Sequence, residues 1–279
     1  MTSDAPNAQG LLLQLAAPLQ SWGEHSRFTH KRDTAPAPTR SALIGLISAA
    51  LGRRRDEPCD DLAALGFTVR IDRPGTRMRD LHTVGGGLPR HLTVATAEGK
   101  RRPGDTGTLL SHRYYLQDAV FTVAATATDD ALLERCAQAL RRPEWPPYLG
   151  RRSCPPSGPL LLTGPVPEAE RRLLHLPLAR PAPHDSGKPA AGRTVAVGFT
   201  SDRPLDGLAG DTVSEGSAHI ASEAQDDPVS FAPLDRRYRT RPVHRITLQL
   251  PAGLCGGYGA DYLEALHDYL APDHRTEVS

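Results

Sequence analysis

The chain has 279 residues, enough for one large domain or two small ones. It holds no apolar run of about 18 residues, and its start, MTSDAPNAQG, lacks the basic and apolar stretches of a signal peptide, so we expect neither a membrane span nor a cleaved leader. Its four cysteines lie far apart, which argues against a disulfide framework and a zinc site and favours the reducing cytoplasm.

The net charge of +1 conceals an uneven distribution. Residues 1–160 contain 21 Lys and Arg against 16 Asp and Glu, whereas residues 161–279 contain 12 against 16. Residues 70–113 alone hold nine bases and four acids. A basic segment of this kind indicates a polyanion site, although a solvated basic face fits the charge equally well.

The first predicted elements are a strand, a loop and a helix. Residues 11–15 are almost continuously apolar, which predicts a strand buried on most of both faces. A helix is predicted between Thr39, which can cap it, and Gly52, which suits a left-handed terminal residue. The loop between strand and helix carries Trp22 and several basic residues, and it leads into a helix N-terminus suited to binding phosphate.

Further elements follow in the next hundred residues. Alternating polarity predicts a half-buried strand at residues 67–71 and another strand at 119–125. Residues 75–113 lack a long apolar run, and we interpret them as a long basic excursion in the form of an extended hairpin. A helix capped at Asp129 places Cys136 in its apolar stripe, and a short fourth strand follows at 160–162.

The order strand, helix, strand, hairpin, strand, helix, strand predicts a ferredoxin-like α+β domain over residues 1–165. Such a domain covers one sheet face with helices and leaves the other open, as RNA-recognition folds do. Residues 166–279 predict a smaller, irregular, β-rich C-terminal part. We expect it to hold a flexible insertion at about 177–235, which is acidic over 200–230, and a final strand and short helix.

Catalytic motifs are mostly absent. The sequence has no H-E-x-x-H, G-x-S-x-G or P-loop motif, and we expect no catalytic residue, cofactor or metal. A metal-independent ribonuclease remains the alternative, because it needs only a few acid and base groups and could use His82, His112 or Tyr114.

Binding of single-stranded nucleic acid has more support than catalysis. Arginines occur where predicted elements begin or end, and others lie in or beside the excursion. Three aromatic residues could stack on bases, and they are Trp22, Tyr114 and Tyr238. Trp22 fits a core position equally well.

A series of motifs stands in order along the chain: PLQSWG (18–23), PTRS (38–41), DLHT (80–83), YLQDAVF (115–121) and LGRRSCPPS (149–157). In these motifs the sequence resembles the CasD family, the fifth-family Cas (RAMP) subunits of the type I-E CRISPR surveillance complex, Cascade. The resemblance is dense over residues 11–165, and the segment 237–243 extends it.

The resemblance implies a non-catalytic RAMP domain that holds the 5′ handle of the CRISPR RNA and caps a filament of backbone subunits. It implies a thumb hairpin at about 76–112 that packs on the neighbouring backbone subunit and the RNA. The large subunit would be a further partner, and target DNA would be met through the complex. A sister subtype uses this family as the processing nuclease, so the ribonuclease alternative stays open.

We therefore expect an RNA site formed by the first loop, the helix start, the excursion and the arginine-containing loop. Its predicted members are Gln20, Ser21, Trp22, Arg27, Thr39, Arg40, Ser41, His82, Thr83, Arg90, Arg101, Arg102, Arg113, Tyr114, Arg151, Arg152 and Ser153.

Overall fold

The computed structural model of the chain describes residues 8–23, 30–85, 89–93, 95–96, 99–101, 107–183, 192–209, 220–232 and 235–271. In chain order the strands are β1 (Gly10–Ala16), β2 (Leu19–Gln20), β3 (Lys31–Arg32), β4 (Gly66–Arg73), β5 (Thr76–Val84), β6 (Leu109–Gln117), β7 (Val120–Thr126), β8 (Leu161–Val166), β9 (Thr194–Ser201), β10 (Ile220–Ser230) and β11 (Arg237–Pro251). The helices are α1 (Arg40–Ala50), α2 (Asp130–Arg141), α3 (Ala169–Arg172), α4 (Asp206–Ala209) and α5 (Gly259–Leu270). Short 3₁₀ turns lie at Asp60–Ala64, Arg90–Leu92 and Ala252–Leu254.

Seven strands form one antiparallel sheet in the order β10-β11-β9-β4-β7-β1-β8. The four strands β4, β7, β1 and β8, together with α1 and α2, follow the predicted chain order of strand, helix, strand, strand, helix, strand. Strand β9 pairs directly with β4, so the C-terminal strands extend the same sheet. The predicted division at residue 165 falls inside β8 and does not separate two sheets.

Helices α1 and α2 cover one face of this sheet, as predicted. The Thr39 side chain caps α1 by accepting a hydrogen bond from Ala42 N at 3.3 Å, and Gly52 follows the helix with φ +75°. Asp129 caps α2 in the same way. Cys136 is fully buried in α2, and burial raises the pKa of its thiol to about 11, so the prediction of a core residue is confirmed.

The opposite face of the sheet is also covered, and the prediction of an open face is wrong. Leu12, Val120 and Ala124 on that face lie in a second hydrophobic core, formed with residues 173–179 and with α5. The covering segment, LLHLPLA, has no regular periodicity, which explains why the sequence pattern did not reveal it. Bases of an RNA therefore cannot stack on this sheet.

Buried polar residues of β4 attach the covering segment to the sheet. The Arg70 Nη1 donates hydrogen bonds to the carbonyls of Leu173 and Leu176, both at 2.6 Å, and Nη2 donates to the carbonyl of Pro177 at 2.8 Å. Its charge is balanced by Asp72, with 2.7 Å between Arg70 Nε and Asp72 Oδ1. Both side chains are fully buried, so β4 is not the half-buried strand that its alternating polarity predicted.

Part of the predicted acidic insertion is ordered. Residues 220–230 form β10, which pairs with β11 along its length, and α4 precedes it. Asp226 and Asp227 of β10, with Asp202 after β9, contact Arg40 and Arg241 in a largely buried ion cluster. These acids thus attach the C-terminal hairpin to the start of α1 and do not form a flexible surface. Residues 210–219 lie outside the described ranges.

A second, smaller sheet lies beside the first. Strands β5 and β6 pair antiparallel over their full length, from Thr76 opposite Gln117 to Val84 opposite Leu109, in the region where an extended hairpin was expected. Strand β6 also pairs with β2 and, in parallel, with β3. None of the helices in the described part of the chain has the length and apolar character that crossing a bilayer requires.

We predict that Asp72→Asn lowers the free energy of unfolding by about 3–5 kcal/mol, because it leaves Arg70 charged and buried without a counter-charge. The matched control is Asp61→Asn, which breaks the more exposed pair with Arg53 and should cost about 1 kcal/mol or less. Urea unfolding followed by circular dichroism measures both. Equal losses in the two variants would contradict the role given to the buried pair.

Candidate functional site

A cleft of about 630 Å³ opens between the β5–β6 hairpin, β3 and the loop at residues 148–153, which we call the arginine loop. Five arginines line it, and they are Arg32, Arg55, Arg113, Arg151 and Arg152. None of the five forms an ion pair with an acid in the described ranges, although Arg40, Arg70 and Arg241 elsewhere all do. The cleft therefore combines a high density of positive charge with little internal neutralisation.

The hairpin directs alternate side chains to its two faces. Met78, Asp80 and His82 of β5 line the cleft, together with Arg113 and Tyr115 of β6. The register pairs Met78 with Tyr115 and Asp80 with Arg113, which is why these side chains share one face. Residues at the intervening positions point to the outer face of the hairpin, and they include Arg77, Arg79, Leu81, Thr83, Leu110, His112 and Tyr114.

The arginine loop is held rigidly against the first loop. Leu149 and Cys154 are buried at its two ends, and Leu149 N donates to the carbonyl of Cys154 at 2.8 Å. Ser21 N donates to the carbonyl of Leu149 at 3.1 Å. Gly150 has φ +85°, and a Cβ atom there would lie 1.6 Å from the Ser21 carbonyl oxygen, so a glycine is required.

Arg151 is oriented by several contacts. Its guanidinium lies 4.6 Å from the centre of the Tyr115 ring, and its Nη2 donates to the carbonyl of Arg32 at 3.1 Å. Its Nη1 is buried and has no hydrogen-bond partner among the residues that the structure describes. A buried donor without a partner is costly, and this nitrogen is itself covered by the surrounding residues.

The arginines of the cleft repel one another. Burial, followed by the charges of Arg113 and Arg151, lowers the pKa of Arg32 from its ordinary value. A bound anion would relieve this repulsion, and several phosphates in a chain would relieve it at several points. The cleft is therefore suited to a polyanion rather than to a neutral ligand.

Five of the predicted site residues come together here. His82, Arg113, Arg151, Arg152 and Ser153 all line the cleft although they come from three separate segments. Arg32, Arg55 and Tyr148 also line it and were missed. Arg32 belongs to a basic run that the sequence did show, but only the pairing of β3 with β6 places it beside Arg113.

The predicted residues of the first loop are buried and do not reach the cleft. Gln20 is fully buried, and its Nε2 donates to the carbonyls of Leu15 and Ala119. Trp22 is 1% exposed and meets the Phe121 ring edge-on, so it is a core residue. Ser21 is 2% exposed and lies under the arginine loop. None of these three residues lines the cleft, and Ser21 contacts it only through the arginine loop.

The start of α1 is also unavailable to phosphate. Arg40 N, the first helical donor, already donates to Asp226 Oδ2 at 2.7 Å. The Arg40 side chain is occupied by Asp202 and Asp227. Thr39 caps the helix and lies within 3.3 Å of the Ser41 hydroxyl. The structure does not bring Thr39, Arg40 and Ser41 to the cleft, and a carboxylate of this same chain occupies the first helical N–H.

The remaining predicted residues lie on the outer face, at the far end of the hairpin or outside the described ranges. Thr83 and Tyr114 are on the outer face, where Arg77 and Lys31 lie over the Tyr114 ring at 4.4 and 5.4 Å. Tyr238 packs against Phe231. Of the three aromatic residues predicted to stack on bases, Trp22 is buried, and Tyr114 and Tyr238 are half-buried and do not line the cleft.

At the far end of the hairpin, the Arg101 guanidinium donates to the carbonyl of Thr93, and Arg90 falls in a 3₁₀ turn. Arg27 and Arg102 lie outside the described residues.

Comparison with known proteins identifies relatives over most of the chain. A family model described as CRISPR-associated protein (Cas_Cas5) matches residues 10–244. The chain is 39% identical over 172 residues to the CRISPR system Cascade subunit CasD of Escherichia coli (strain K12), a match that spans 54% of this chain and 69% of that protein.

Solved structures agree with this match. A chain of a CRISPR RNA-guided surveillance complex is 41% identical with a TM-score of 0.79, and the match covers 94% of this chain and 100% of that one. A crystal structure of a Cas protein is 31% identical with a TM-score of 0.55, covering 90% and 98%.

We predict that Gly150→Ala lowers the free energy of unfolding by about 3 kcal/mol or more, because the left-handed backbone and the contact with the Ser21 carbonyl both oppose a Cβ atom. Gly99→Ala is the matched control: Gly99 has φ +78° but nothing within 4 Å of its Cβ position, so about 1–2 kcal/mol is expected. Chemical denaturation of both variants gives the difference. Similar losses would show that the arginine loop is not fixed by Ser21.

Proposed function

Because the chain belongs to the Cas5 family of CRISPR-associated proteins, the family of the Cascade subunit CasD, we propose that it is an RNA-binding subunit of a type I-E Cascade antiviral complex. It holds the 5′ handle of the CRISPR RNA in the arginine-lined cleft. The observation that carries this proposal is the convergence of five arginines without ion-pair partners in the described ranges on one cleft beside the hairpin.

The fold supports this assignment in two ways. The order of β4, β7, β1 and β8 with α1 and α2 supports a ferredoxin-like RAMP unit, and we assign the β5–β6 hairpin as its thumb. Since the sheet face opposite the helices is covered, the RNA has to bind at the side of the sheet, between thumb and arginine loop. This differs from folds that stack bases on an open sheet.

Recognition in the cleft is dominated by phosphate. The arginines supply charge-assisted hydrogen bonds, and the Tyr115 ring and the Arg32 carbonyl hold the Arg151 guanidinium in position. Tyr148 is the half-buried aromatic residue on the cleft wall, and Tyr115 lies under Arg151. Planar guanidinium groups thus replace the aromatic platforms that many single-strand binders use.

The outer face of the thumb supports contact with protein. Leu81 and Leu110 are 61% and 54% exposed, and the register places them on the same face, opposite His112 and Thr83. Exposed apolar side chains of this kind mark an interaction surface. We assign it to a neighbouring backbone subunit, so that this chain caps the filament. The large subunit is a further partner, target DNA is met through the complex, and the assembly is cytoplasmic.

The alternative function is a metal-independent endoribonuclease that processes CRISPR precursor RNA. One observation favours it: His82 Nδ1 lies 3.4 Å from Asp80 Oδ2 within the cleft. His112 and Tyr114 lie on the other face of the hairpin and cannot share a site with His82. Incubation of the full chain with labelled repeat RNA and a chelator decides between the two, since cleavage lost in His82→Ala would establish the enzyme. We expect intact RNA.

We predict that Arg151→Ala with Arg152→Ala weakens binding of single-stranded repeat RNA by about tenfold or more and flattens its salt dependence, because two phosphate contacts are lost. The slope of log affinity against log salt should fall in magnitude by about 1.4. Fluorescence anisotropy with the full chain at several salt concentrations measures both quantities.

The matched control for this experiment is a second pair of adjacent arginines, Arg141 and Arg142, which are exposed at the end of α2 away from the cleft. Their double substitution by alanine removes the same charge and should leave affinity and slope nearly unchanged. Equal weakening in the two double variants would remove the arginine loop from the site.

A further inference from the structure

One carboxylate lies among the residues that line the arginine-rich cleft. Asp80 is on the cleft face of β5, and its side chain is 39% exposed. His82, two residues further along the same face, is 43% exposed. An acid in this position faces the cleft rather than the core.

Asp80 is not neutralised by the arginines around it. Its partner across the ladder is Arg113, but Arg113 Nε donates to the Ser111 hydroxyl at 3.3 Å, and the described residues contain no ion pair between Asp80 and an arginine. His82 Nδ1 approaches Asp80 Oδ2 at 3.4 Å, which is longer than a normal hydrogen bond. Both carboxylate oxygens therefore keep the capacity to accept hydrogen bonds from a ligand.

A carboxylate repels phosphate and can only accept hydrogen bonds. In a single RNA strand, the groups that can donate to it are the amino and imino groups of splayed bases and the ribose 2′-hydroxyl. Of these, an exocyclic amino group carries two hydrogens and projects furthest from the phosphates that the arginines hold. Asp and Glu side chains accept in this way from cytosine N4.

We propose that Asp80 reads the exocyclic amino group of one RNA base in the cleft. This inference rests on the proposed RNA-binding function and adds base selectivity to it. Arginines would fix the path of the backbone, and Asp80 would reject a base that presents a carbonyl oxygen where the amino group should be. Asp80 is thus a specificity-determining residue.

Two labelled oligoribonucleotides of about 12 residues, oligo-C and oligo-U, test the proposal on the full chain. The two differ at position 4 of the base, which is an amino donor in cytosine and a carbonyl acceptor in uracil. We expect the protein to bind oligo-C about tenfold more tightly than oligo-U. In Asp80→Ala this ratio should fall to about one, mainly because oligo-U binds better once the repelling charge is gone.

Asp33→Ala is the matched control. Asp33 is an exposed acid beside the cleft that pairs with Arg77 on the other side of the hairpin, so its removal changes the net charge equally. It should tighten or preserve binding of both oligonucleotides and leave their ratio at about tenfold. Thermal unfolding of each variant checks that the fold is retained, which the exposure of both side chains favours.

Each outcome has a distinct meaning. Binding of both oligonucleotides with no preference, or a preference that Asp80→Ala leaves intact, would overturn base reading while the proposed RNA-binding function stands. Oligo-C DNA, which lacks the 2′-hydroxyl, serves as a further probe. If Asp80→Ala abolishes a preference for oligo-C RNA over oligo-C DNA but leaves the preference for oligo-C over oligo-U unchanged, the carboxylate binds the 2′-hydroxyl. That result would likewise overturn the proposal. If neither oligonucleotide binds, the proposed function itself fails.

Discussion

The buried pair of Arg70 and Asp72 is the interaction on which the architecture depends. Through three backbone carbonyls, the guanidinium fixes residues 173–177 over the sheet, and Asp72 also accepts hydrogen bonds from the Thr122 hydroxyl and from Ala179 N. An isolated buried charge costs several kcal/mol, so the pair is stable only when both partners and the carbonyls are in place. The C-terminal half is thereby required to complete the domain that the N-terminal half begins. The consequence for function is that the sheet is closed on both faces, and a ligand can approach only at its side.

The same principle of internal pairing explains where the free positive charge lies. Three acids of the C-terminal half, Asp202, Asp226 and Asp227, are largely buried and neutralise Arg40 and Arg241. The arginines of the cleft have no such partners in the described ranges. The positive electrostatic potential of the cleft therefore depends less on the number of arginines than on where the fold places its carboxylates. The excess of basic residues in one part of the sequence thus corresponds to positive charge concentrated in the cleft.

Local features of the sequence predicted the local elements well. Thr39 and Asp129 mark real helix starts, and the apolar run at residues 11–15 lies in a strand buried on both faces. The errors arose where a distant partner changes the meaning of a residue. Arg40 is typical of a phosphate ligand at a helix start, but a carboxylate 186 residues away occupies its backbone N–H. Arg70 and Asp72 gave β4 the polarity of a surface strand because their partners lie about a hundred residues further on.

The candidate site shows the same division between local and long-range information. The pair Arg151-Arg152 was recognisable because two adjacent arginines stand in a loop rich in proline and glycine, and the structure does place them in the cleft. Trp22 was ambiguous, since an indole beside polar residues is equally typical of a stacking platform and of a core anchor, and only its contact with Phe121 decides for the core. Arg32 stood in a basic run, but nothing local in the sequence indicated that it lines the cleft. Its position in the cleft depends on a two-residue parallel pairing of β3 with β6, and a strand this short has no hydrophobic periodicity by which it could be predicted.

The cleft is organised before any ligand arrives. Gly150 lets the arginine loop close on the Ser21 carbonyl, the loop fixes Arg151, and the Tyr115 ring and the Arg32 carbonyl fix its guanidinium. At Arg151, a bound polyanion would therefore have little side-chain ordering to induce. The mutual repulsion of Arg32, Arg113 and Arg151 is tolerated in the free protein because the rest of the fold holds these residues in place. Phosphate bound in the cleft, as we propose, would reduce that repulsion.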